Sequence, residues 1–388
     1  MSWNEVNKVE QRKQFILRLL KGERMTDLCQ EYEISRKTGY KFLERFKGFG
    51  FEGLDDFSRR PHRFPNKTDA FIEGLIVEFK KKHIKWGPKK LKVLLEDKYS
   101  NIHFPTVSTI GMILSNNGLV ERNARRIGRC YHRTDLTDSN FPNDVWCVDF
   151  KGQFKTKDMQ YCFPLTISDH KTRYLIACEA LESTRQEEAF DVFKSSFTKF
   201  GMPKIIRSDN GPPFASSSLI YGLTKLSLWF VKLGINIERI APGHPEQNGR
   251  HERLHKTLKY EAICPPAKNI IQQQERFNVF TDDYNNHRPH ESLGQKTPAS
   301  LYKKGEVKFV EPDVRQYYSN HDFTRRVNDS GEIWINPRMR VRISKIFYGE
   351  HLGIKEYEST YLVSYSKYDI GQIDKRSLEF VPLEQLDG

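Results

Sequence analysis

From residue 144 onward, short apolar segments typical of strands follow one another closely and then alternate with segments typical of helices. Three strands are predicted first, at 145–150, 161–168 and 172–180, with Asp169-His170-Lys171 as the hairpin connection between the last two. The later pattern predicts helices at 184–200, 218–233, 246–262 and 269–286, and strands at 204–207 and 236–240. A meander of three strands followed by alternating helices and strands is typical of a layered α/β domain, here residues 144–303.

The first 57 residues predict a helical domain. Helices are expected at 9–20, at 27–32 after a cap at Thr26, and at 36–46 after a cap at Ser35. This order is that of a helix-turn-helix domain, whose last helix would present basic side chains to DNA. Those side chains are Arg36, Lys37, Lys41 and Arg45. The alternative is an ordinary three-helix bundle with a solvated basic face.

A second helical unit, winged or helix-turn-helix-like, is predicted at 66–120, with helices near 69–82, 88–97 and 106–116. Pro88 suits a first helical position, and Thr106 suits a helix cap. The segment 121–143 has little apolar periodicity and is predicted to be a basic linker along a DNA backbone or minor groove. Its arginines include Arg122, Arg125, Arg126 and Arg129. The alternative is a solvated tether.

The last part of the chain, residues 308–388, turns to strands at 332–335, 340–343 and 361–365. It predicts a small β-rich domain. The expected architecture is therefore multidomain: helical DNA-binding domains at 1–57 and 66–120, a linker at 121–143, an α/β core at 144–303, and a C-terminal β domain.

The net charge of +13 is concentrated in the first third of the chain. Such a region suits a phosphate backbone, since each neutralised phosphate releases a condensed counterion. Membrane lipid is a weaker explanation, because no basic amphipathic helix with an aromatic face is present. The sequence also lacks an apolar run of roughly 18 residues, a secretory signal and a phosphate-binding loop. We expect a soluble cytoplasmic protein without a nucleotide cofactor.

Three acidic residues stand out by their positions. Asp149 lies inside an apolar strand, where a charge is costly unless the site is accessible or binds a cation. Asp209 ends a later core strand, and Glu252 lies in the helix predicted at 246–262. Taken singly, Asp209 could be a turn residue and Glu252 a surface charge. Together, three oxygen ligands on rigid elements could hold two Mg²⁺ or Mn²⁺ ions, which suit phosphodiester cleavage and joining.

Two lysines follow Glu252 on the same predicted helical face, Lys256 one turn later and Lys259 two turns later. Cations at these positions would hold DNA phosphates near the metal ions. The alternative is an ordinary Glu–Lys pair on a helix surface, which contributes only a few tenths of a kcal/mol.

The segment His251-Glu252-Arg253-Leu254-His255 also spells the zinc-metalloprotease motif, in which two imidazoles on one helical face ligate zinc. Glu261 could be offered as a third ligand. Two observations argue against a protease: the flanking residues are polar and basic, and this interpretation leaves Asp149, Asp209 and the basic N-terminal region without a role.

Three segments carry a family resemblance: Trp146–Gly152, Ser208–Phe214 and His244–Arg253. They resemble the DDE core of bacterial insertion-sequence transposases, which belong to the retroviral integrase superfamily. Residues 286–294 and 297–299 resemble the segment that closes that core. With the helix-turn-helix units upstream, the likeness covers roughly residues 8–303.

The resemblance implies a ribonuclease-H-like catalytic domain, dependence on Mg²⁺, binding of terminal inverted repeats and target DNA, and a homo-oligomer. Asp149 and Asp209 match the two aspartates of the family, and Glu252 matches its helical glutamate. The interval from Asp209 to Glu252 is longer than in many relatives, and Glu246 would match that interval better. We keep Glu252 because Asn248–Glu252 matches the family position and 219–233 looks like a helical insertion; Glu246 is the fallback.

The sequence thus predicts a DNA transposase, a polynucleotidyl transferase that cleaves 3′ ends and joins them to target DNA. The alternative from another class is a non-catalytic DNA-binding regulator derived from a transposase. The intact set of carboxylates argues against the regulator.

Overall fold

A computed structural model describes residues 8–57, 67–120, 136–215, 222–241, 244–311 and 313–387. The chain divides into two compact units, Met1–Asp69 and Ala70–Gly388. The arginines at 122, 125, 126 and 129 lie outside the described residues, so their predicted contact with DNA stays a prediction. No helix in the described parts is long and apolar enough to cross a membrane.

The first unit contains the helices α1 (Lys8–Leu20), α2 (Met25–Glu31) and α3 (Arg36–Phe49), followed by a 3₁₀ turn (Gly50–Leu54). Ser35 caps α3 as predicted, because its hydroxyl accepts a hydrogen bond from the Thr38 amide at 3.2 Å. The predicted cap at Thr26 is wrong: α2 begins at Met25 without a side-chain cap. Helices α2 and α3 cross closely at Gly39, where a Cβ atom would lie 2.7 Å from the Met25 sulfur.

Three further helices open the second unit: α4 (Ala70–Lys82), α5 (Pro88–Lys98) and α6 (Val107–Asn116). Pro88 occupies the first turn of α5 and Thr106 caps α6, both as predicted. Their core is apolar and centred on Trp86, which is 1% exposed.

A mixed sheet forms the centre of the second unit. Its strands are β1 (Val145–Phe150), β2 (Phe154–Lys155), β3 (Tyr161–Asp169), β4 (Leu175–Leu181), β5 (Ile205–Ser208) and β6 (Asn236–Arg239). Strand β3 pairs antiparallel with β1, β2 and β4, whereas β5 pairs parallel with β1 and with β6. The predicted meander and the later strands are thus confirmed.

The helices of the central domain are α7 (Gln186–Phe200), α8 (Lys225–Lys232), α9 (Gly249–Leu258), α10 (Ile270–Asp282) and α11 (Pro298–Leu301). Because side chains alternate along a strand, β1 faces two cores. Trp146 and Val148 pack with α7 and α8, while Leu254 and Leu258 of α9 belong to a separate core with α10. Helix α9 therefore covers the opposite face of the sheet, the one that bears Asp149.

Two predicted helices have different bounds. The helix predicted at 218–233 is shorter, because α8 begins at Lys225 behind a capping box of Thr224 and Ser227. The helix predicted at 246–262 is divided into a 3₁₀ turn (Pro245–Asn248), α9 and a π turn (Lys259–Ile263).

The C-terminal part is an antiparallel β structure, as predicted. Its strands are β7 (Phe323–Arg326), β8 (Glu332–Asn336), β9 (Met339–Arg342), β10 (His351–Glu356), β11 (Thr360–Tyr365), β12 (Tyr368–Asp374) and β13 (Phe380–Asp387). Five of them form a sheet in the order β13-β12-β11-β10-β7, and β8 pairs with β9. Its core contains Phe347 and Val363, and it includes Leu228 and Val231 of α8. The β domain and the central domain therefore share one apolar core.

Candidate active site

Asp149 lies near the end of β1, on the face of the sheet that α9 covers. Its side chain is 16% exposed. The side-chain amide of Asn248, at the start of α9, donates a hydrogen bond to Asp149 Oδ2 at 2.8 Å. Burial, and then the nearby charge of Asp209, raise the pKa of Asp149 to about 7. A cation that neutralises the negative charge of the two aspartates would therefore lower the pKa of Asp149.

Asp209 is brought to Asp149 by the parallel pairing of β1 and β5. Cys147 is paired with Arg207, so the residues two positions further along each strand, Asp149 and Asp209, leave the sheet at the same edge. The Gly211 amide donates to Asp209 Oδ1 at 3.1 Å. The predicted proximity of these two carboxylates is therefore found in the structure.

Glu252 is exposed on α9. It lies three residues before His255 on α9, and Asn248 is the residue immediately before that helix. The other two both contact Asp149, since His255 Nδ1 is 3.8 Å from Asp149 Oδ2. Within the described residues, however, no three His, Cys, Asp or Glu side chains are close enough to hold a metal ion. The structure brings together two of the three predicted ligands, whereas the role of Glu252, which is exposed on α9, stays a prediction.

The two histidines of the metalloprotease-like motif converge on a single hydroxyl group. Both His251 Nε2 and His255 Nε2 lie 2.8 Å from Thr166 Oγ1. That hydroxyl in turn donates to the backbone oxygen of Asp149 at 3.0 Å. A hydroxyl has one proton and two lone pairs, so both imidazoles donate to it through Nε2–H. Burial lowers the pKa of His251 to about 4 and that of His255 to about 2, so both are neutral.

This arrangement does not fit a zinc-binding site. The nitrogen atoms that would ligate the metal face Thr166. Glu261, the suggested third ligand, forms an ion pair with Arg288 at 2.7 Å. We therefore interpret the histidines as a clamp that fastens α9 to the backbone of Asp149.

The acidic pair should destabilise the metal-free protein at neutral pH, and Asp149→Asn should relieve this. In the unfolded chain the carboxyl group ionises near its ordinary pKa of 3.8, but the folded chain holds the proton until about pH 7. The folded state therefore binds more protons in this window, and the free energy of unfolding falls as the pH rises from about 4 to about 7. We expect Asp149→Asn to be roughly 1–3 kcal/mol more stable than the wild type at pH 8 in EDTA.

Urea denaturation at pH 5 and pH 8 measures this effect, and the gain should be smaller at pH 5. Asp144→Asn is the matched control. Partial burial would raise the pKa of Asp144, but Lys204 and two backbone amides outweigh it and lower the pKa. Its replacement should therefore destabilise the protein. An Asp149→Asn protein less stable than the wild type at pH 8 would contradict the expected repulsion.

The predicted DNA-contacting side chains differ in exposure. Arg36, Lys37 and Lys41 of α3 are exposed, as are Lys256 and Lys259. Arg45 is half-buried, and its guanidinium group lies over the Phe57 ring at 4.2 Å from the centroid. The side chain of the fallback Glu246 lies outside the described part of the structure.

Sequence reasoning missed Thr166, Asn248 and the clamp role of the two histidines. Asn248 could have been found from the sequence, because it lies four residues before the candidate ligand Glu252. Thr166 had none, since only the pairing of Asp149 with Thr166 across β1 and β3 brings it to the site.

Three parts of the chain match protein-family models. An integrase core domain model matches residues 139–245, and a second integrase core model matches residues 233–298. A helix-turn-helix domain model matches residues 11–62. The predicted resemblance is confirmed: residues 139–298 match integrase core models and residues 11–62 match a helix-turn-helix model.

Individual relatives come from insertion elements. The chain is 24% identical over 285 residues to the uncharacterized 39.2 kDa protein of insertion element IS476 from Xanthomonas euvesicatoria, covering 73% of this chain and 79% of that protein. It is also 24% identical over 247 residues to the uncharacterized 31.7 kDa protein of insertion element IS407 from Burkholderia multivorans, covering 62% and 83%.

Among solved structures, the HTLV-2 integrase catalytic core domain in complex with magnesium is similar. The identity is 19% and the TM-score is 0.33, with 43% of this chain and 100% of that chain covered.

Proposed function

We propose that this chain is a transposase that uses divalent metal ions to cleave the 3′ ends of an insertion element and join them to target DNA. The observation that carries the proposal is the Asp149–Asp209 pair, held at one sheet edge within the integrase core. Insertion elements encode the two relatives described above, which supports DNA ends as the substrate.

The residues present fit Mg²⁺ or Mn²⁺. Both ions prefer oxygen ligands, and two carboxylates lie side by side. Among the ion pairs of the described residues, neither Asp149 nor Asp209 has a lysine or arginine partner. The negative charge that raises the pKa of Asp149 is therefore available to a cation. Asp149, Asp209 and Glu252 would hold two ions, which when bound activate the attacking oxygen and stabilise the leaving oxygen.

The protein's own side chains hold the carboxylates in position. Asn248 orients the Asp149 carboxylate, and Thr166 with its two histidines fixes α9 against β1. Rigidly held ligands suit a reaction in which positioning and electrostatic stabilisation provide most of the rate enhancement. No side chain needs to form a covalent intermediate.

The helix-turn-helix region would bind the terminal inverted repeats through the exposed residues of α3. Two element ends must be held together for concerted joining, so the working form would be a homo-oligomer. The reaction would take place on DNA in the cytoplasm.

A joining assay tests the proposal. Labelled duplexes taken from the flanks of the gene are incubated with the full chain and a target plasmid, in Mg²⁺ and in EDTA. We expect nicking and joining in Mg²⁺ and binding alone in EDTA. Binding of the correct ends without joining in either condition would contradict the transposase and favour the regulator.

Replacing Thr166 with valine should slow joining more than it weakens DNA binding. The change removes the hydroxyl group and leaves two buried imidazole N–H groups without a partner, at a cost of about 1–3 kcal/mol. We expect a roughly 10- to 100-fold lower single-turnover rate in Mg²⁺, with DNA affinity unchanged. Thr257→Val is the control, because its hydroxyl bonds only to Arg253 of the same helix. An unchanged rate in Thr166→Val would exclude the clamp.

A further inference from the structure

Three arginines from different elements converge on His170, which follows β3. Arg173 and Arg250 both donate through Nη1 to the backbone oxygen of His170, at 3.2 Å for Arg250. Arg250 Nη1 also contacts His170 Nε2. Arg207 Nη1 lies 3.4 Å from His170 Nδ1. Three guanidinium groups therefore surround one imidazole.

The positive charge of this cluster is incompletely balanced. Glu238 pairs with Arg207 at 2.6 Å. In the described parts of the chain, neither Arg173 nor Arg250 forms an ion pair with a carboxylate. The nearest buried acid, Asp169, is occupied by hydrogen bonds from the amides of Asn143 and Thr172.

Electrostatics are consistent with this imbalance. Burial, and then Arg250, lower the pKa of Arg173 to about 10. Burial and the three arginines lower the pKa of His170 to about 2, so the imidazole adds no charge. Like charges held this closely favour an anionic partner.

The cluster lies next to the carboxylate pair. Arg207 is paired with Cys147 across β5 and β1, two positions before Asp209 and Asp149 on the same face of the sheet. Two residues of a strand span about 6–7 Å. Arg173 and Arg250 themselves meet at His170, whose amide bonds Val145, four residues before Asp149 and about 13 Å along the strand. The cluster therefore lies one to two nucleotide steps from the carboxylate pair. Arg250 is exposed at the start of α9, so a ligand can reach it.

We propose that Arg173 and Arg250 bind a backbone phosphate one or two nucleotides from the one that reacts. Arginine suits this role because its planar donors match phosphate oxygens in a bidentate manner. Arg207, held by Glu238 and the Thr137 carbonyl, forms the buried wall of the site. The proposal rests on the proposed function, since it places the reacting phosphate at Asp149 and Asp209.

Salt-dependent DNA binding tests the site without requiring catalysis. Fluorescence anisotropy in EDTA would measure the affinity of the full chain for a labelled element-end duplex at several salt concentrations. Loss of one phosphate contact lowers the slope of log affinity against log salt by about 0.9. We expect this decrease in Arg250→Gln and in Arg173→Gln, and little decrease in Arg250→Lys, which keeps the charge.

Arg185→Gln is the matched control, because it removes an exposed arginine at the start of α7, beyond the other face of the sheet. Thermal melting would verify folding; if Arg173→Gln does not fold, Arg250→Gln decides alone. Two duplexes, with a methylphosphonate at the first or at the second phosphate from the joining site, add a second readout. The wild type should bind one of these duplexes more weakly than the unmodified duplex, whereas Arg250→Gln should bind all of them equally.

The outcomes separate this site from the proposed function. A wild-type slope in Arg250→Gln would overturn the phosphate site even if the wild type joins DNA. A reduced slope together with failure of the wild type to join DNA would support the site and contradict the transposase. Inorganic phosphate is the last probe, with thermal melting as the readout. If phosphate raises the melting temperature of the wild type but not of Arg250→Gln, while the two proteins have equal salt slopes for DNA, the site binds free phosphate. That result would overturn the proposal.

Discussion

Asp149→Asn, Asp209→Asn and Glu252→Gln are each expected to reduce metal-dependent joining by about a thousandfold or more, with DNA affinity within about twofold of the wild type. Each change removes one negative ligand while keeping the side chain nearly isosteric. The loss should appear in the rate of the chemical step rather than in binding, because in the proposed mechanism the carboxylates hold the metal ions and do not contact the DNA. Single-turnover joining of pre-bound labelled ends in Mg²⁺ measures this.

Two control variants make the assignment specific. Asp158→Asn changes an exposed acid of the same domain and should join DNA at the wild-type rate. Glu246→Gln should do the same if Glu252 is the third ligand. Activity in Glu252→Gln together with its loss in Glu246→Gln would transfer the role to Glu246. Retained joining in Asp149→Asn would end the two-metal interpretation.

Phe347→Ala in the C-terminal domain is expected to lower the free energy of unfolding by about 3–5 kcal/mol, because a large and fully buried aromatic side chain is replaced by a cavity. The effect should extend into the central domain, since Phe347 shares a core with Leu228 of α8. Helix α8 leads into β6, which pairs with β5, the strand that directly precedes Asp209. We therefore expect joining activity and structure to be lost at the same urea concentration.

Urea denaturation followed by circular dichroism and by residual joining activity measures this coupling. Phe141→Ala is the control, because Phe141 is 69% exposed and its loss should change stability little. Two separated transitions in Phe347→Ala, with the activity retained after the β domain has unfolded, would contradict a shared core.

The sequence was sufficient for the features that local patterns determine. Strand β1 is apolar on both faces except at Asp149, and this single exception made the residue a candidate for a functional role. Ser35 and Thr106 marked helix starts because a cap is a contact between residues three positions apart. Asp209 could be placed because it directly follows a short apolar strand.

The features that were missed depend on contacts between distant residues. Helix α8 was predicted too long because apolar spacing alone does not show where Thr224 and Ser227 cap it. The motif of His251 and His255 suggested zinc, since no pattern in the sequence places Thr166 opposite both imidazoles. Arg173 and Arg250 are unremarkable in the sequence and become a pair only through the turn at His170.

The parallel pairing of β1 with β5 also has a consequence for how the protein is made. The three helices of the first unit contact one another locally, and such units fold within milliseconds. The aspartates, by contrast, meet only after β5 has emerged from the ribosome, and α9 closes over them later still. At roughly 5–20 residues per second, this delay is on the order of ten seconds. Under the proposed function, a nascent chain would present its helix-turn-helix region before its carboxylate site is assembled.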